Sequence, residues 1–295
     1  MSLKMDLNIR QMDMHLNNKH VTRVIAVTSG KGGVGKTNIS INLAMALADR
    51  DKSVTLMDAD LGLANIDVLL NLKPLRNLSH VIEGDCELKD ILIDGPNNIR
   101  IIPASSGIKM MSQLTPAQNT GLIHAFDELS DSIDFLIVDT SGGLSDSVVR
   151  FCSAAQEILV VVCNDPASIA DSYALIKTMH RDYKIQRFQI VVNKVQTEAE
   201  GCDLFERLRS VSEQFLDVVL SLRVIIPQDE NMLRAVRQRR AFYLSYPDSK
   251  AIKSFKKLAA AVDNLNRTAR ASGRLTFFAE QMIGLQDSAP SRAMS

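Results

Sequence analysis

The 295-residue chain carries 34 basic and 34 acidic residues, so its formal net charge at pH 7 is zero. Hydrophobic residues make up 46% of the chain, aromatic residues only 5%, and tryptophan is absent. This composition excludes a global electrostatic surface for nucleic acid, although not a local basic patch. It suits an aliphatic, parallel sheet that is covered by helices.

The cysteines and the start of the chain indicate its compartment. Cys86, Cys152, Cys163 and Cys202 show neither a C-x-x-C pair nor the Cys/His spacing of zinc sites, as expected for thiols in a reducing environment. The first residues show no signal-peptide pattern, and no apolar run reaches the length of a membrane span. These features predict a soluble cytoplasmic protein.

In chain order, a polar tail precedes a long alternation of apolar runs and helical patterns. Residues 1–22 are rich in Met and Asn and are predicted to form a flexible tail, residues 23–271 one domain, and residues 272–295 a second tail. The predicted strands are 24–29, 53–58, 99–103, 134–139, 158–163, 188–193 and 218–227. The predicted helices are 38–49, 116–130, 144–155, 167–181, 203–217 and 230–239. This alternation predicts an α/β fold with a doubly wound, mostly parallel sheet and helices on both faces.

A glycine-rich sequence follows the first predicted strand. Residues 30–37, GKGGVGKT, match the phosphate-binding pattern G-x-x-x-x-G-K-[ST]. In this pattern backbone N–H groups surround phosphate oxygens, Lys36 reaches the β- and γ-phosphates, and the Thr37 hydroxyl binds Mg²⁺. The strand before the loop and the helix after it favour a nucleotide site over a chance glycine-rich turn. The predicted phosphate site consists of Gly30, Lys31, Gly32, Gly33, Val34, Gly35, Lys36, Thr37 and Asn38.

Carboxylates end two of the predicted strands, where ligands bind in open parallel sheets. Asp58 and Asp60 follow the second strand, and they can divide the support of Mg²⁺ and the orientation of an attacking water. Taken alone, this pair also fits an Asp-rich turn that caps a helix. Asp139 ends an apolar strand, as the metal-binding carboxylate of a phosphate-loop enzyme does. The small residues 140–143 that follow suit a loop that senses the γ-phosphate.

Two further strand ends carry polar residues. Asn193 ends one strand, and Pro227 and Asp229 lie at the end of another. All three are candidates for contacts to the adenine edge. A strand-terminal Asn is, however, more often a turn residue, so the adenine prediction depends chiefly on the family resemblance described below.

Residues 272–295 contain a short amphipathic pattern. Leu275, Phe278, Met282 and Leu285 recur at spacings of 3, 4 and 3, which places them on one face of a helix. Basic residues precede this face, as an anionic bilayer surface would favour. The same face also fits a helix that packs on the domain's own core. The predicted membrane-contact residues are Leu275, Phe277, Phe278, Met282 and Ile283.

Several sequence blocks resemble one protein family. GKGGVGKTN, LMDADLGLANIDVLL, VIEGDCELKDIL, IPASSG, LIVDTSGGLSDSVV and IIPQDE are similar to the flagellar-number regulators of the FlhG/FleN type. These regulators are a MinD-like branch of the MinD/ParA ATPases, and the resemblance runs from about residue 22 to residue 285. Lys31, second in the loop, matches the deviant phosphate loop of that class. Position 38 is Asn where many MinD/ParA relatives have a hydroxyl, and TSGGL replaces the usual run of Ala and Gly.

The resemblance implies an ATPase that uses ATP and Mg²⁺ and forms a homodimer when ATP is bound. It implies that Lys31 contacts the nucleotide of the second subunit, while Lys36 and Thr37 bind phosphate and Mg²⁺. It also implies that Asp60 positions the hydrolytic water and that Asp58 and Asp139 support the metal. The adenine pocket would contain Asn193, Pro227 and Asp229.

The partners that the resemblance implies are a σ54-dependent flagellar transcription activator, which the protein restrains, and the anionic inner face of the cell membrane, at a pole, in the ATP state. Flagellar C-ring proteins and a signal-recognition-type flagellar GTPase are further candidates. Residues 1–22 contain no clear copy of the DQAxGL-type motif with which some relatives stimulate that GTPase.

Other functions remain as alternatives. They are a MinD ATPase of division-site placement, a ParA-type DNA-partitioning ATPase, and a metabolic or cluster-carrying enzyme of the same superfamily. Zero net charge argues against the ParA-type alternative, which needs non-specific DNA binding, although Arg234, Arg237, Arg239 and Arg240 form a local basic cluster. No direct sequence-specific DNA binding is expected. Scattered cysteines argue against a cluster carrier.

Overall fold

The computed structural model describes residues 22–60, 66–103, 115–130, 132–265 and 278–280. The strands are β1 Arg23–Ser29, β2 Val54–Ala59, β3 Ile93–Asp94, β4 Arg100–Pro103, β5 Phe135–Gly142, β6 Glu157–Cys163, β7 Arg187–Val195 and β8 Val219–Pro227. The helices are α1 Lys36–Ala48, α2 Ile66–Leu69, α3 Leu78–Glu83, α4 Pro116–Ser130, α5 Asp146–Ala154, α6 Pro166–Tyr183, α7 Glu198–Phe215, α8 Glu230–Arg237, α9 Phe242–Ser245 and α10 Lys250–Asp263. Short 3₁₀ turns cover Leu88–Ile91 and Pro96–Asn98.

The strands form one eight-stranded sheet with the order β3-β4-β2-β5-β1-β6-β7-β8. All neighbouring strands are parallel except β3, which runs antiparallel to β4. The predicted doubly wound, mostly parallel sheet is therefore confirmed. Because β1 lies near the middle and the chain proceeds from it in both directions, the carboxyl end of β1 is next to the point where the strand order reverses, which is where such sheets bind ligands.

Apolar side chains cover both faces of the sheet. On one face α1 and α10 pack against the strands, with Leu43, Leu47 and Phe255 fully buried. On the other face α4 and α5 cover the β2 and β5 side, and α6 and α7 cover the β6 and β7 side. Since α1 lies between the sheet and α10, it is buried on nearly all sides. The helix that begins the phosphate site is therefore held firmly in the core.

The packed domain includes Thr22, the last residue of the predicted tail. Its side chain is buried, and its hydroxyl donates to the carbonyl oxygens of Ser130 and Ile133, both at 2.9 Å. Residues 1–21 lie outside the described part of the chain.

A short C-terminal segment, residues 278–280, packs on the α4 and α5 side of the sheet. The Phe278 side chain is only 1% exposed, and its ring centroid lies 6.1 Å from that of Phe126 in α4 and 6.4 Å from that of Phe151 in α5. In this structure Phe278 is therefore a core residue. This position agrees with the alternative interpretation, in which the amphipathic face packs on the domain's own core and not on a membrane. The other predicted membrane residues, Leu275, Phe277, Met282 and Ile283, lie outside the described residues. Of the described helices, none has both the length and the apolar character needed to cross a bilayer.

Candidate nucleotide site

The predicted phosphate-binding loop lies between β1 and α1, at the carboxyl edge of the sheet. Gly33 and Gly35 have φ angles of 77° and 101°, in the left-handed region that favours glycine. Helix α1 then begins at Lys36, so that its free N–H groups and positive dipole end face the loop. This arrangement is a ready anion site.

Lys36 lies under the loop and is largely enclosed. The residue is only 7% exposed, and this burial lowers the pKa of its ammonium group. The nearby carboxylates Asp139 and Asp60 raise that pKa in turn. The predicted phosphate lysine and the predicted catalytic carboxylate therefore share one small volume.

Asp58 and Asp139 lie side by side in the sheet. They are register partners on the adjacent strands β2 and β5, and both are buried. The two carboxylate oxygens of Asp58 accept hydrogen bonds from the backbone N–H groups of Asp60 and Ile66, each at 3.2 Å. Asp58 therefore fixes the start of the segment that carries Asp60, which is half-buried.

The buried Asp139 carboxylate fits a metal ion. One of its oxygens accepts from the Ser40 hydroxyl at 2.9 Å, whereas Oδ2 has no hydrogen-bond partner among the described residues. Burial raises the pKa of Asp139 to about 7; the Thr37 and Ser40 hydroxyls and Lys36 lower it, and Asp58 raises it. An orphaned carboxylate oxygen beside a hydroxyl and a second carboxylate is the oxygen donor set that Mg²⁺ prefers.

The residues after Asp139 contact the phosphate loop directly. Strand β5 continues to Gly142, so residues 140–142 end a strand, whereas the sequence predicted a loop from residue 140. The strand continues because the Thr140 hydroxyl donates to the Val27 carbonyl at 3.0 Å and Gly142 pairs with Ser29. A Cβ on Gly142 would lie 2.9 Å from the Gly32 nitrogen and the Lys31 carbonyl carbon, so a larger residue would displace the loop.

Lys31 lies at the surface of the loop, not in its interior. Its Nζ forms an ion pair with Asp165, and the two side chains are 41% and 40% exposed. The hydrogen bond between them raises the pKa of Lys31 and lowers that of Asp165. Asp165 also caps α6, because its other oxygen accepts from the Ala167 N–H at 2.9 Å. The sequence reasoning missed Asp165, although an Asp before a Pro-initiated helix is a recognisable cap.

The three predicted adenine residues lie at two neighbouring strand ends, β7 and β8. Asn193 donates from Nδ2 to the Val34 carbonyl at 2.8 Å and is thereby attached to the phosphate loop. Pro227 ends β8. The Asp229 carboxylate accepts from the Asn231 N–H at 2.8 Å and from the Ser249 hydroxyl, so it caps α8 and connects it to the start of α10. The adenine role of these residues stays a prediction.

Sequence reasoning missed one further residue at this site, Lys194. Its Nζ donates to the Gly33 carbonyl at 2.7 Å. Nothing in the local sequence distinguishes it from other exposed lysines that follow a strand.

The basic cluster and the cysteines bear on the alternative functions. Arg234, Arg237, Arg239 and Arg240 are exposed at and just after α8, where Arg234 lies 3.8 Å from Glu230. All four cysteines are free thiols: Cys86 follows α3, Cys152 lies in α5, Cys163 ends β6 beside Asn193, and Cys202 lies in α7. Among the described residues, no three His, Cys, Asp or Glu side chains are grouped as they would be to hold a metal.

Comparisons with known proteins agree with this site. A family model described as "ParA: NUBPL iron-transfer P-loop NTPase" matches residues 20–263. Antiactivator FleN of Pseudomonas aeruginosa is 51% identical over 268 residues, which is 91% of this chain and 96% of FleN. Flagellum site-determining protein YlxH of Helicobacter pylori is 33% identical over 235 residues, 79% of each protein.

Solved structures show the same fold. MinD of Aquifex aeolicus matches with a TM-score of 0.67 at 23% identity, over 84% of this chain and 100% of that one. A Mg-ADP complex of MinD from Pyrococcus horikoshii matches with a TM-score of 0.64 at 23% identity, over 83% and 97%. The chain therefore belongs to the ParA family of P-loop NTPases and is a MinD/ParA-class ATPase of the FlhG/FleN type, the branch of regulatory ATPases that govern flagellar number or placement.

Proposed function

We propose that this ATPase acts as an ATP-dependent homodimer that restrains a σ54-dependent flagellar transcription activator and binds the cell membrane reversibly. The observation that carries the proposal is Lys31: its ammonium lies half-exposed at the mouth of the phosphate loop, held by an equally exposed Asp165. Such a cation can leave Asp165 and contact the nucleotide of a second subunit at little cost, because exposed ion pairs are weak.

In the proposed cycle each residue of the site has a separate task. Lys36 and the loop N–H groups bind the phosphates of ATP, and Asp60 orients the attacking water. Thr37, Asp58 and Asp139 are the residues that would hold Mg²⁺, and the bound ion would neutralise charge on the phosphate oxygens. The end of β5 rests on the phosphate loop through Gly142, so it can report whether the γ-phosphate is present.

The activator is proposed as partner because the Pseudomonas relative is called an antiactivator and is similar over nearly its whole length. The C-ring proteins and the signal-recognition-type GTPase have no such support and are secondary candidates. A pull-down tests the proposal: the purified activator is immobilised and incubated with this protein and ATP or ADP. We expect retention with ATP, in particular for Asp60→Ala, and little with ADP. Equal retention with both nucleotides, or none, would contradict the proposal.

For the membrane contact, we propose that the tail alternates between the α4–α5 surface and the bilayer. The burial of Phe278 between Phe126 and Phe151 supports this proposal, because a docked Phe278 cannot insert into lipid. One short amphipathic helix binds a membrane weakly, whereas two in a dimer bind with avidity. Nucleotide-driven dimerisation would then bring the protein to the inner face of the membrane.

Liposome sedimentation with anionic vesicles tests this exchange. Phe151→Leu, which loosens the docking surface but leaves the tail intact, is expected to raise binding without ATP. Deletion of residues 272–295 is expected to abolish binding in both backgrounds, and melting temperatures verify folding. Undiminished ATP-dependent binding after the deletion would show that another surface contacts the membrane.

A further inference from the structure

We propose that Lys194 is a positioning residue, which together with Asn193 holds the phosphate loop in its nucleotide-binding shape from the end of β7. Neither residue needs to contact the nucleotide for this role. The inference concerns the ATPase site itself and does not depend on the proposed partners.

The two side chains donate hydrogen bonds to two successive carbonyl groups of the loop. Lys194 Nζ donates to the Gly33 carbonyl at 2.7 Å, and Asn193 Nδ2 donates to the Val34 carbonyl at 2.8 Å. In a planar trans peptide the C=O and the N–H point in opposite directions. Holding these two carbonyls therefore fixes the direction of the Val34 and Gly35 N–H groups, which are the kind of donors that surround a phosphate.

The backbone at Lys194 is shaped for this contact. Its φ angle is 59°, which is uncommon for a residue other than glycine, and the register of β7 against β8 shifts between Asn193 and Val195. An irregularity of this kind redirects a side chain, and such features are frequent next to active sites. It places consecutive residues of one strand end on the same loop.

Gly35 of the phosphate loop leaves the space that the Asn193 side chain needs. A Cβ at that position would lie 2.6 Å from Asn193 Nδ2, closer than real Cβ contacts allow. The absence of a side chain at Gly35 thus leaves room for the amide group of Asn193, a residue that is 8% exposed. The end of β7 is thus connected to the phosphate loop through the buried Asn193 and the exposed Lys194.

A set of substitutions at one position separates the hydrogen bond from the backbone strain. Lys194→Met keeps the length but removes the donor, and Lys194→Arg keeps a donor. Lys194→Asn tolerates the left-handed conformation but is too short to reach Gly33. Lys184 offers a matched control, because it also has a φ of 59° and donates to a carbonyl, that of Arg181, at 2.9 Å. Lys184→Met removes an equivalent bond at the end of α6.

The positioning role of Lys194 is tested by the dissociation constants of ADP and AMP. Both are measured by competition with a fluorescent ADP analogue. We expect Lys194→Met and Lys194→Asn to weaken ADP by about three- to tenfold, as for one hydrogen bond. AMP, which lacks the β-phosphate that the loop surrounds in ADP, should bind within about twofold of wild type. Lys194→Arg should retain the ADP affinity of the wild type, and Lys184→Met should also leave that affinity unchanged.

Two results would overturn the inference. Unchanged ADP affinity in Lys194→Met would show that the bond does not position the loop, and equal losses for ADP and AMP would indicate a contact to the nucleoside. Amide hydrogen exchange of the nucleotide-free protein supplies an independent readout. Exchange in the peptide that contains Val34 and Gly35 should be faster in Lys194→Met than in wild type. If Lys194→Met does not fold, Lys194→Asn and Lys194→Arg give the same comparison.

Discussion

Replacing Asp60 by Ala is expected to lower ATP turnover by about two to four orders of magnitude, the usual contribution of a positioned acid or base. The structure places Asp60 near the buried Lys36, while Asp58 and Asp139 form the deeper carboxylate pair. The substitution therefore removes the group proposed to orient water but leaves the proposed metal ligands. The protein should bind ATP, dimerise and remain dimeric.

Size-exclusion mass determination with ADP and with ATP checks this prediction. Wild type and Asp60→Ala should both be monomers with ADP, and the variant should be a lasting dimer with ATP. Asp67→Ala is a suitable control, because Asp67 also follows β2 but lies in the first turn of α2. A monomer under all conditions would remove the second-subunit role of Lys31 and favour a metabolic P-loop enzyme.

The central sheet and the phosphate loop could be predicted because each is specified by a short, contiguous stretch of sequence. Continuous apolar runs such as residues 158–162 are typical of strands buried on both faces, and they form β6. The phosphate loop is similarly defined within eight residues between a strand and a helix. Helix α10 was missed, although Ile252, Phe255 and Val262 recur at helical spacing and are all buried.

Contacts between distant parts of the chain were not predictable from the sequence in this way. Strand β3 has two residues and exists because it pairs with β4. Lys31 and Asp165 are 134 residues apart, and Asn193 and Val34 are 159 apart. For Asn193 the sequence suggested a base contact or a turn, whereas its structural partner is the backbone of the phosphate loop. Which polar group meets which at the sheet edge depends on strand order, and the sequence does not specify strand order.

Removing the Lys31 ammonium should prevent ATP-dependent dimerisation while leaving the monomer's nucleotide site intact. Lys31 points to Asp165 and not into its own phosphate loop, so Lys31→Ala should bind ADP within about threefold of wild type, as expected for a surface substitution. In the proposed dimer the same ammonium stabilises charge on the second subunit's nucleotide. We therefore expect the ATPase rate to fall at least about 100-fold, as when a charge-stabilising donor is removed.

Asp165→Asn is the complementary variant, because Asn still caps α6 while the charge that holds Lys31 is lost. Since Lys31 would no longer have to leave an ion pair, the dimer should form at ATP concentrations up to about fivefold lower, the modest effect expected of an exposed pair. Analytical ultracentrifugation across an ATP titration measures both variants. If Lys31→Ala dimerises like wild type, Lys31 does not act between subunits. If Asp165→Asn requires more ATP than wild type, Asp165 takes part in the dimer itself and does not merely hold Lys31 in the monomer.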